Sequence, residues 1–190
     1  VRTALDGSYT LTSSQASVSI VALTDDSTID SSSGSVLTGV TLRAPSGASV
    51  VSPNTTLMKE AGLTAAEVGE VLGLSADIDI TTFNPYAAGV DAAKALAVEK
   101  VSQQIMTTIS TFAAVTEGSG ASAADSFSTA LASVVEVVQQ KAVAFKSDPS
   151  VKLDLSSTTD LALIKSSVTT KAASVSGVDQ TVLATISNDT

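Results

Sequence analysis

Histidine, cysteine and tryptophan are all absent from this chain of 190 residues. Without histidine no ordinary side chain titrates near neutral pH, so Ser-His and Cys-His nucleophiles lose their usual base. Without histidine or cysteine, the nitrogen and sulfur ligands of zinc, copper, haem and iron–sulfur sites are missing too. Disulfides are excluded on the same ground. Aromatic residues make up 3% of the chain and charged residues 15%, the latter well below the usual quarter. No uninterrupted apolar run approaches the roughly 18 residues that mark a membrane-spanning helix, so membrane insertion is not expected. The chain opens at Val1 without a methionine, a charged leader region or an apolar signal core. It reads as a piece of something longer.

What remains is oxygen chemistry around a core of small aliphatic residues. The hydrophobic share is 44%, and with so few rings that core must be built from Ala, Val, Leu and Ile. Thirty Ser and 24 Thr cover the outside with polar but weakly charged groups. The net charge of −9 repels a phosphate backbone, and no basic stripe interleaved with aromatics is present, so nucleic acid is not an expected partner.

Two regions differ in punctuation. Residues 1–50 form a β-rich segment, with near-alternation of apolar and polar residues in Tyr9–Thr12, Ala16–Leu23 and Ser35–Leu42. This period of two, broken by Asp6-Gly7 and by the loop from Thr24 to Gly34, predicts short antiparallel strands. Three such strands cannot close a sandwich, so they form a small sheet on helices or the end of a β-domain.

Residues 51–190 read as a helical bundle. Ser52-Pro53 and Thr64-x-x-Glu67 are helix starts, with Gly62 and Gly73 as stops. Asn84-Pro85 marks another start. Asp91 opens a long helix with Leu96, Ala97, Val101, Ile105, Ile109, Phe112 and Ala113 on one stripe. A second follows from Ser122, with Phe127, Leu131, Val134, Val138, Ala142 and Phe145 facing inward. The short connection through Glu117–Gly120 makes these two an antiparallel pair. Two weaker helices span about 158–174 and 178–187. The fold class is therefore α+β, a short antiparallel β element followed by a mainly α-helical bundle with two long antiparallel helices.

Two constellations could carry chemistry. Asp25, Asp26 and Asp30 lie within six residues beside flexible hydroxyls and could supply part of a calcium shell of six to eight oxygens. The EF-hand glycine and closing glutamate are absent, and loop aspartates also serve turns. Asp77 and Asp79 point to one side if their segment is extended, as an acid pair would. More simply, they are the solvent face of that segment. Neither Ser-x-x-Lys nor Gly-x-Ser-x-Gly occurs, and Gly118-x-Gly120 follows a helix rather than a strand, which makes it a linker. Asn54-Thr55-Thr56 and Asn188-Asp189-Thr190 match the glycosylation sequon, a pattern common by chance.

The segments Leu42-Arg43-Ala44-Pro45-Ser46-Gly47, Ser52-Pro53-Asn54-Thr55-Thr56-Leu57 and Gly62-Leu63-Thr64-Ala65-Ala66-Glu67 carry a resemblance. With Asp6-Gly7-Ser8-Tyr9 and Ile80-Thr81-Thr82-Phe83-Asn84-Pro85, they resemble a module of very large bacterial RTX-type or Ig-like-repeat surface adhesins. The likeness covers roughly residues 5–115 and departs at Asn54, where that family carries an apolar residue. It rests on caps and turns, so it brings no catalytic residues with it. It implies a noncatalytic structural or interaction module at a bacterial cell surface or outside the cell. Its partners would be neighbouring domains of a longer chain and a protein or glycan ligand. The alternative is a calcium-dependent ligand-binding module on Asp25, Asp26 and Asp30.

Overall fold

The computed structural model of the chain describes residues 1–190 apart from 5, 16, 31–33, 35 and 190, with every side chain but those of 188 and 189. Two strands come first. β1 (Ile20–Leu23) and β2 (Thr41–Ala44) pair antiparallel, with Ile20 opposite Ala44 and Leu23 opposite Thr41. An isolated bridge between Ile29 and Val36 prolongs the hairpin. Alternation works as the sequence suggests: Leu42 and Ala44 turn towards the helices while Val21 and Leu23 face solvent. The Tyr9–Thr12 stretch forms no strand. Among the described residues it has no ladder partner, and the Tyr9 hydroxyl instead donates to the Ser49 carbonyl at 3.1 Å. Ala16 and Ser35, the first residues of the other two expected strands, lie outside the described residues.

A two-stranded sheet is marginal alone; this one is held by the helix after it. In α1 (Pro53–Ala61), Thr56 accepts the Arg43 N–H at 2.9 Å and Thr55 donates to the Arg43 carbonyl at 3.0 Å. Both hydroxyls are fully buried, so the outer edge of β2 is sealed by side chains. The start of α1 follows from Ser52, whose hydroxyl caps the Thr55 N–H, and Gly62 ends it in a left-handed conformation at φ 66°. The Thr64–Glu67 capping box opens α2 (Ala65–Val71).

Asn84-Pro85 does not start a helix. The Asn84 side chain accepts the Tyr86 N–H at 2.9 Å, closing a local turn. The true start is Asp91, whose carboxylate caps Ala93 and Lys94 and opens α3 (Ala92–Gly118). α4 (Ala123–Phe145) returns antiparallel and packs along it, followed by α5 (Thr158–Ala172) and α6 (Gln180–Asp189).

One large apolar cluster joins Val40 of the hairpin to Leu57, Val68, Ile105, Val134, Val138 and Ile164 of the helices. A second, small one consists of Val115, Ala172 and Leu183, with Val178 and Ile186 against it. The inner stripes hold except at the start of α3. Leu96, at 70%, and Ala97 are both exposed and Val98 takes the buried position, because two residues at 100° each place Leu96 and Val98 on opposite sides of α3. Phe112 and Phe127 are buried, while Phe145 is half-buried. Among the described residues no helix is long and apolar enough to cross a membrane.

Candidate functional site

The Asp25 loop is organised around its own backbone. The Asp25 carboxylate accepts the Ser27 N–H at 2.9 Å and the Ser27 and Thr28 hydroxyls at 2.5 and 3.3 Å. Its other oxygen meets the Arg2 guanidinium at 3.2 Å. These Ser27 hydrogen bonds, helped by Arg2 and Thr28, hold its carboxyl below the usual carboxylate range. Asp26 accepts from the Thr38 hydroxyl at 3.3 Å. Burial first, then the hydrogen bond and charge of Glu99, raise the Tyr86 phenol to about 12, and the charge of Asp30 adds to them. Among the described residues no group of three or more acidic side chains stands together as a metal-binding set.

Asp77 and Asp79 belong to a series of turns rather than an extended segment. Asp79 accepts the Thr81 N–H at 2.9 Å and the Thr81 hydroxyl at 2.6 Å, which keeps its carboxyl ionised to lower pH than usual. Asp77 is paired with Lys94 at the start of α3, and that ammonium lowers its carboxyl. The two acids thus hold different partners, and the pairing expected of an acid/base couple is not what either side chain does.

A further polar group lies between α4 and α5, in an open groove of about 290 Å³ lined by Glu136, Gln140, Leu163, Ser167 and Lys171, among others. One Glu136 oxygen accepts from the Ser167 hydroxyl at 2.7 Å and from the Lys171 ammonium at 2.8 Å. Gln140 approaches the other oxygen at 3.4 Å. The Lys171 hydrogen bond, then that of Ser167, lowers the Glu136 carboxyl. The trio cross-links two helices.

No protein-family model, curated protein or solved structure matches the chain. The groove was invisible to motif reading because its members come from helices about thirty residues apart. Its only trace was Glu136, an acid set inside the apolar run Val134–Val138. The first sequon is closed to modification in the folded chain: Asn54 is buried in α1 and its amide donates to the Ser102 hydroxyl at 3.0 Å. The second sequon ends at Thr190, outside the described residues.

Proposed function

We propose that this chain is a noncatalytic structural or interaction module of a large bacterial surface or secreted, adhesin-like protein. It works outside the cell, spacing neighbouring domains or presenting a surface to a protein or glycan. One observation supports this above the others: the acids are engaged in building the fold. Asp91 and Glu67 cap helices, Asp25, Asp79, Asp148 and Asp154 close turns, and Glu136 and Asp160 tie helices together. Their carboxyls, where shifted, move down rather than towards neutrality, opposite to the tuning of a general acid. The adhesin resemblance of the caps and turns points the same way.

The test separates this reading from a calcium-dependent one. A ligand that binds only the folded state stabilises it by about 2.7 kcal/mol at a hundredfold excess over Kd. Thermal melts in millimolar calcium and in EDTA are expected to coincide, since the Asp25 carboxylate already has Arg2, Ser27 and Thr28. A rise of several degrees in calcium, abolished by Asp26→Ala, would establish the calcium-binding alternative instead.

A further inference from the structure

The hairpin has one sealed edge and one open one. Arg43 directs its N–H and carbonyl away from β1, onto Thr56 and Thr55. Residues in an antiparallel ladder alternate between bonding inward and outward, so Val21, which sits opposite Arg43, directs its own pair away from β2. Leu23, two residues on, does the same. The phase agrees with Thr24, whose N–H reaches the Val40 carbonyl at 3.1 Å. Among the described residues no backbone group bonds the outward N–H and carbonyl groups of Val21 and Leu23. Their side chains are also uncovered, at 45% and 74% exposure.

Sheet edges are ordinarily protected by charge, proline or a bulge. This one has neither charge nor proline: from Gly7 to Thr24 there is no charged residue and no proline. We propose that β1 pairs antiparallel with β1 of a second copy, making a four-stranded sheet across a twofold axis. An open row of backbone groups is satisfied in register only by another extended backbone. The strand is complementary to itself, because a twofold centred on Val21 sets that residue against its own counterpart and Ser19 against Leu23. No like charges meet there, although each copy carries −9. Pairing also turns a marginal two-stranded sheet into a four-stranded one. The contact is smaller than a standard interface of about 1,600 Å², so association is weak and reversible. Screening of the mutual repulsion makes it stronger in salt.

Sedimentation equilibrium of the full chain between about 10 μM and 1 mM reads this directly. The expected result is a monomer–dimer equilibrium that shifts to dimer with concentration and with added salt. Val21→Lys, which sets two ammonium groups face to face, weakens dimerisation at least tenfold with an unchanged melt. Val143→Lys, on an exposed site of α4, leaves it as it was. Since the chain has no cysteine, Val21→Cys supplies a second readout. A bonded antiparallel pair has Cα atoms about 5.5 Å apart, within disulfide reach of about 4.4–6.8 Å, so mild oxidation links this variant faster than Leu96→Cys. A monomer under every condition, a dimer indifferent to Val21→Lys, dissociation by Val143→Lys, or equal cross-linking of the two cysteine variants would each overturn the proposal.

Discussion

The Lys141 ammonium lies 2.6 Å from the Asp160 carboxylate, with side-chain exposures of 20% and 6%. The other Asp160 oxygen accepts the Asp154 N–H at 2.9 Å, so one buried acid fixes both α4 and the turn leading into α5. Such a pair adds little net stability over an apolar replacement, but breaking it strands a charge away from water. Lys141→Met is therefore expected to destabilise the fold by about 3–5 kcal/mol in urea unfolding. Adding Asp160→Leu should restore part of that loss, because the stranded charge is then gone. Neither partner stood out in the sequence, where a lone Lys and Asp read as surface residues until the helices are packed. Asn54 was visible as a polar residue at an apolar position and as the start of a sequon. It is buried nonetheless, its amide nitrogen on Ser102 and its carbonyl oxygen without a partner among the described residues. Adjacent threonine hydroxyls, which seal β2, explain why this helix start is polar on its inner side.

At the scale of elements, local chemistry was readable wherever a side chain acts on its own backbone. Ser52, Thr64, Asp91 and Ser122 all cap the helices that their sequence context predicts. Reading failed where one signal serves two geometries. Asn-Pro opens a helix or closes a turn through the same side-chain acceptor, and at Asn84 the turn wins. It failed again where an apolar residue lies off the packed face, as at Leu96. The caps also set the acid response. Glu67 accepts the Thr64 N–H and meets Lys146 at 3.0 Å, which brings its carboxyl down to about 2 from 4.5. A carboxyl lowered by folding contributes stability above its ordinary pKa and loses it as pH falls towards the folded value. Melting temperature is therefore expected to drop as pH falls from about 4.5 to about 2. Glu67→Gln keeps an acceptor for Thr64 but has no proton to gain, so its melts should fall less steeply over that range.

Over the whole molecule, the class and the order of elements were legible, because helix periodicity and caps are local. The way the ends are joined was not, since it depends on two distant glycines. Gly120, in the turn between α3 and α4, has φ 111°, and a Cβ there would stand 2.5 Å from the Gly177 carbonyl oxygen. A Cβ on Gly177, between α5 and α6, would in turn come within 3.0 Å of the Gly120 oxygen. The neighbouring Asp179 N–H donates to the Ser119 carbonyl at 2.7 Å. Two backbones thus meet at a distance that only glycine permits. Gly120→Ala is expected to cost roughly 1–3 kcal/mol, concentrated at α6. Hydrogen exchange should show α6 amides losing protection while those in the middle of α4 keep theirs.

The separation of the small Leu183 cluster from the main core has a mechanical consequence. A chain held between two anchors and stretched is strained first where the fewest contacts resist. α6 leans on α3 and α5 through a handful of side chains and the glycine seam, whereas α3, α4 and α1 share one continuous interior. Under tension α6 would peel away turn by turn and lengthen the molecule while the remainder stayed folded. On release it would settle back against Val115 and Ala172.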